Sequence, residues 1–146
     1  MDADQLLDDL WDNRVPVDVE RIASHWGVEV VRGDDGEGLT QIESKAGSGV
    51  QFRVPLGESG EDQRLRIAHA MGRLLQVVRG ETPENPDAQA QGEALQILMP
   101  VAVMTYLFRE RGIRDPEALA RTLQVAPQLV QIRLKQVGLV AAEEPG

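Results

Sequence analysis

The chain has 146 residues, of which 42% are hydrophobic and 27% charged; that is enough to bury one core and too apolar for a disordered tail. It contains no cysteine, which excludes disulfides and thiolate metal sites and suits a reducing compartment. A net charge of -9 argues against tight, non-specific binding to nucleic acid, where attraction to phosphate supplies the affinity.

The acidic start MDADQLLDDLWD lacks the basic and then apolar pattern of a signal peptide, and Leu6, Leu7, Leu10 and Trp11 fall at helical spacing within it. After Pro16, the residues Val17, Val19, Ile22, Ala23 and Trp26 form the apolar stripe of a second short helix that Gly27 ends. VEVVRG is β-branched and predicts a strand. The segment from Gly33 to Gly38 is a turn-rich loop whose spacing fits neither a phosphate loop nor an EF-hand. LTQIESKAG and GVQFRVPL alternate as two further strands around a Gly-Ser-Gly turn, and Pro55 suggests a sheet edge there.

From Glu61 to Val78 the period becomes helical, with Leu65, Ile67, Ala68, Met71, Leu74, Leu75 and Val78 as its buried-type residues and Gly72 as its one interruption. RGETPENP is a loop. Helices are expected from about Asp87 to Leu98, over VAVMTYLFRE (101–110), and over DPEALARTLQVA and PQLVQIRLKQVGL. Met71, Met99 and Met104 are core fillers. The tail AAEEPG is expected to fray. The order of elements predicts one α+β domain over 1–146: an acidic N-terminal helix (1–14), a core (15–100), C-terminal helices (101–140) and a tail (141–146). Its expected architecture is a small three-stranded antiparallel sheet packed with about six helices. No apolar run approaches the roughly 20 residues of a membrane span, so a soluble, cytoplasmic protein is expected.

Four segments in order carry a resemblance. RLRIAHAMGRLL resembles the R-F-x-x-A-H-E-x-G-H helix of the ImmA/IrrE zinc peptidases, and DAQAQGEALQILMP resembles their following helix, E-x-x-A-N-x-F-A-x-x-L-M-P. PVDVERIASHWGVEVV resembles the family's opening, and ALARTLQVAPQLVQIRLKQVGLV its closing helices; together the four cover roughly residues 15–140. The resemblance implies a zincin-like minimal peptidase fold that ends in a helix-turn-helix-like pair. In the family, the two histidines of H-E-x-x-H share one helix face and hold zinc, the glutamate activates the bound water, and a carboxylate from the next helix completes the site.

Carried over position by position, that motif is degenerate here: it reads His69-Ala70-Met71-Gly72-Arg73. His69 stands at the first ligand position and Asp87, a shorter acid, at the third. Ala70 replaces the base and cannot accept a proton. Arg73 replaces the second histidine; it is a fixed cation with no free lone pair and would repel a dication. No metal and no cofactor are expected. Two readings of Arg73 stand side by side: a bidentate pair with Asp87 that joins two helices in place of the metal, or a side chain pointing into solvent. Glu93 precedes Ala94 but stands where the family pattern has an aromatic, and His25, beside Trp26, reads as an ordinary surface or half-buried residue.

The resemblance implies a catalytically inactive regulatory module for a protein partner, by the family's habit a helix-turn-helix repressor of phage, mobile-element or DNA-damage circuits. Val50, Gln51, Phe52 and Arg53 are the candidate edge strand for an added peptide. Two alternatives remain open. One is a DNA-binding regulator that reads bases or phosphates through Gln128, Gln131, Arg133 and Lys135 of the last helix, in a region where cations outnumber acids. The other is a residual metal-dependent peptidase.

Overall fold

The computed structural model describes residues 14–33, 38–44, 47–55 and 59–139, with the backbone alone for residues 38–49. Among these residues the protein is a helix-rich α+β chain. Its elements are α1 (Val19–His25), β1 (Val28–Gly33), β2 (Gly38–Ser44), β3 (Gly47–Pro55), α2 (Gly60–Arg79), α3 (Pro86–Leu98), α4 (Val101–Thr105), α5 (Pro116–Leu123) and α6 (Pro127–Gln136). The predicted N-terminal helix and the tail lie outside the described residues, as do residues 34–37 of the Gly33–Gly38 loop. Asp18–Ala94 forms one compact unit, and the residues up to Val17 with those from Leu95 onward form the other; the division falls inside α3.

In the unit Asp18–Ala94, helix starts follow local chemistry. The Asp18 carboxylate accepts from the Arg21 N–H at 3.1 Å and the Ser59 hydroxyl from the Asp62 N–H at 3.2 Å, each satisfying a donor that the helix cannot. Asn85 does the same for the Ala88 N–H at the start of α3. α1 ends at Gly27, whose φ of +80° suits a residue without Cβ and turns the chain directly into β1. Val19, Ile22 and Ala23 of α1, Val28 of β1, Phe52 and Val54 of β3, and Ile67, Ala68 and Met71 of α2 are buried. α1 packs on β1, and α2 on β3.

The sheet differs from expectation. Its order is β1-β3-β2, with β1 parallel to β3 (Val28 beside Val50, Arg32 beside Val54) and β2 antiparallel to it (Gly38 beside Arg53, Ser44 beside Gly47). It is therefore a mixed sheet and not an antiparallel meander. Alternation in a sequence marks strands but carries no information on which neighbour, or which direction, a strand pairs with. The Gly-Ser-Gly run expected as a turn belongs to β3, since Ser44 pairs with Gly47 and leaves only residues 45 and 46 as the connection.

β3 is central, so Pro55 does not mark an edge strand; of the two readings, the strand or its end at an edge, only the second is compatible with the sheet. The Val50 N–H donates to the Gly27 carbonyl at 3.2 Å, so the even-numbered residues of β3 turn their backbone groups to β1 and the odd-numbered ones to β2. Pro55 is odd-numbered, and β2 begins opposite Arg53. Its missing N–H thus faces a side where no described residue pairs with it, and the proline removes no bond of the described ladder.

In the second unit, α4 runs on as a π-helical turn at Tyr106–Glu110, with Val103, Met104, Leu107 and Phe108 buried. The Arg114 guanidinium stacks 5.3 Å from the Phe108 ring centre. Asp115 caps α5 through the Ala118 N–H, Gln124 takes a left-handed conformation (φ 56°) that closes it, and Pro127 opens α6. Leu119, Ala120, Leu123, Val130 and Leu134 are the buried side chains of this helix pair. Among the described residues no helix is long and apolar enough to cross a membrane.

Candidate functional site

α2 and α3 meet at the residues singled out in the sequence, His69, Arg73 and Asp87. Residues 69 and 73 are four apart on α2 and share a face. Arg73 Nη1 donates to Asp87 Oδ1 at 2.6 Å, and His69 Nε2 lies 3.8 Å from the same oxygen. Two side chains of α2 thus converge on one carboxylate oxygen of α3. Asp87 stands in the first turn of α3, where the helix dipole favours an anion.

The contact differs from the bidentate, poorly solvated pair anticipated. It runs through Nη1 and Oδ1, and the side chains are 44% and 79% exposed. Water screens both charges, so the pair adds at most about 1 kcal/mol to stability. Asp87, the shorter acid, sits at the rim of the helix pair and not between the helices.

Deeper in the same interface, sequence reasoning missed the stronger anchors. Glu93 is buried, and its Oε1 accepts from Arg79 Nη1 at 2.8 Å. The buried Gln76 amide donates to the Pro86 carbonyl at 2.8 Å, at a proline that begins the helix. Gly72 permits the approach: a Cβ there would lie 2.8 Å from the Ala90 carbonyl oxygen and 3.1 Å from Glu93 Cβ. A glycine interrupting an otherwise continuous apolar helix was the available signal.

The donor set does not fit a catalytic zinc. His69 and Asp87 supply one nitrogen and one carboxylate, and the Arg73 cation is already bonded to that carboxylate. Ala70, at the base position, is a buried methyl with no lone pair. Among the described residues no group of three or more His, Cys, Asp or Glu side chains could hold a metal ion. His25 is exposed, 3.5 Å from Arg21 Nη1.

Two other candidate surfaces change. Val50, Gln51, Phe52 and Arg53 pair with β1 on one side and β2 on the other, so the predicted peptide edge has no free backbone. In α6, Gln128, Gln131 and Lys135 are exposed, but Arg133 is 3% exposed and turns inward. Its Nε donates to the Met99 carbonyl at 2.8 Å, one of the orphan acceptors at the C-terminal end of α3. The predicted base-reading face thereby loses one of its two cations.

Arg32 pairs with Glu20 and donates from Nε to Gln63 at 2.9 Å, which ties β1 to α1 and α2. The bond to Glu20 raises the Arg32 pKa against a smaller, opposing effect of burial. Burial lowers that of Arg64, with the Asp18 charge opposing. Both remain cations at neutral pH. A recess of about 390 Å³ beside β1 is lined by Glu20, Ser24, Gly27, Val28, Glu29 and Val30 among others.

No family model, no curated protein and no solved structure matches this chain.

Proposed function

We propose that this chain is a catalytically inactive relative of the ImmA/IrrE zinc peptidases, a cytoplasmic regulatory module that binds a protein partner without cutting it. One observation carries the reading: Arg73 Nη1 lies on Asp87 Oδ1 at 2.6 Å, with His69 Nε2 at 3.8 Å from the same atom. In the positions that resemble the zinc site, a guanidinium cation stands against the acid that would be the third ligand, and the base position is a methyl group. The four motifs in family order support the kinship. The intact α2–α3 contact at Gly72 supports retention of the scaffold after loss of the chemistry. The proposed partner class is a helix-turn-helix repressor, by likeness to what the family's peptidases act on.

The test has two arms. Elemental analysis of the purified protein is expected to find zinc far below one ion per chain, and added zinc is expected to leave the melting temperature unchanged. Incubation with a purified repressor encoded beside this gene is expected to give a complex with the repressor intact. Stoichiometric zinc, or a cleaved repressor, overturns the proposal.

A further inference from the structure

The sheet has a free edge that the sequence did not indicate. Among the described residues β1 pairs only with β3, and no described strand pairs with its other side. The bond from the Val50 N–H to the Gly27 carbonyl sets the phase: Gly27, Glu29 and Val31 turn their backbone groups to β3, and Val28, Val30 and Arg32 turn theirs outward. Val28, buried, and Val30, half-buried, line the recess. An outward row of N–H and C=O groups is a template for one more strand.

The charge beside that edge selects the occupant. Glu20 and Glu29 both line the recess, as does Ser24 of α1. Glu20 is already paired with Arg32. Glu29 is exposed and has no ion pair among the described residues, which leaves one carboxylate uncompensated at the middle of the edge. The chain as a whole carries -9, which opposes a second copy of itself and attracts a cation.

We propose that the outer edge of β1 docks an extended, lysine- or arginine-bearing peptide segment of a partner protein, which adds to the sheet as a fourth strand. The main-chain bonds come from Val28, Val30 and Arg32, and the charge selection from Glu29 with Glu20. This site is independent of the reading of His69, Arg73 and Asp87: it requires neither a lost peptidase nor a repressor.

The probe is the acetylated, amidated pentapeptide Lys-Val-Lys-Val-Lys, titrated into the full chain at physiological salt and followed by amide NMR shifts. Shifts are expected to concentrate on residues 28–32. The same peptide N-methylated at every amide keeps its charge but cannot donate, and is expected to bind at least about tenfold more weakly. Glu29→Lys, an exposed change that leaves the core untouched, is expected to weaken binding about threefold or more. No binding, equal binding of the N-methylated peptide, or shifts confined to other elements overturns the proposal. Unchanged affinity in Glu29→Lys overturns the charge selection.

Discussion

Arg73 and Gly72 are neighbours on α2 with opposite energetic weight. The ion pair of Arg73 with Asp87 is short, but both side chains are largely in water. Arg73→Ala and Asp87→Ala are each expected to cost less than about 1 kcal/mol in denaturant titration, with a coupling energy in the double-mutant cycle of similar or smaller size. A cost of several kcal/mol would mean that the pair is desolvated. Gly72→Ala is the larger perturbation. Its methyl would press on the backbone oxygen of Ala90, which cannot rotate away. Alanine improves helix propensity by about 1 kcal/mol, but overpacking costs about 1–3 kcal/mol, so a net fall in the urea midpoint is expected. A rise would show that α3 yields freely.

At the scale of elements, hydrophobic periodicity was informative about existence and poor about neighbours. The helices over 60–79, 86–98, 116–123 and 127–136 lie close to the spans that their apolar spacing predicts. Val78 was assigned to the α2 stripe and is 74% exposed, because at this end of the helix it is Gln76 and Arg79 that contact α3. Strand pairing was misjudged because alternation is the same for an edge and a centre, for parallel and antiparallel. Pro55 marks the end of β3 and not an edge strand: among the described residues β2 begins opposite Arg53. Arg133 is the clearest case of tertiary override. Its position on α6 reads as solvent-facing and cationic, yet it serves the Met99 carbonyl. Arg133→Met keeps much of the volume and removes the donor, and is expected to cost about 1–3 kcal/mol because a buried acceptor loses its bond. Thermal or chemical denaturation measures it, and a neutral result would place that carbonyl in contact with water.

For the molecule as a whole, charge sets the terms of association. A net -9 repels duplex DNA, and the inward turn of Arg133 removes a cation from the surface proposed to read it. Duplex DNA is therefore expected to migrate unretarded with micromolar protein at about 50 mM salt, where counterion release most favours binding. A salt-dependent shift would restore α6 as a DNA surface. The same charge favours a cationic partner at the β1 edge.

The sequence by itself determined the α+β composition, the helices, and the absence of a base at position 70 and of a metal ligand at position 73, because propensity and side-chain chemistry are local properties. Only the tertiary structure decided that β3 is central and β1 an edge, that Arg73 meets Asp87 at an exposed rim, and that Gln76, Arg79 and Glu93 hold the two helices together. Those outcomes depend on which surfaces meet across long stretches of chain, and no periodicity along one segment encodes the partner on another.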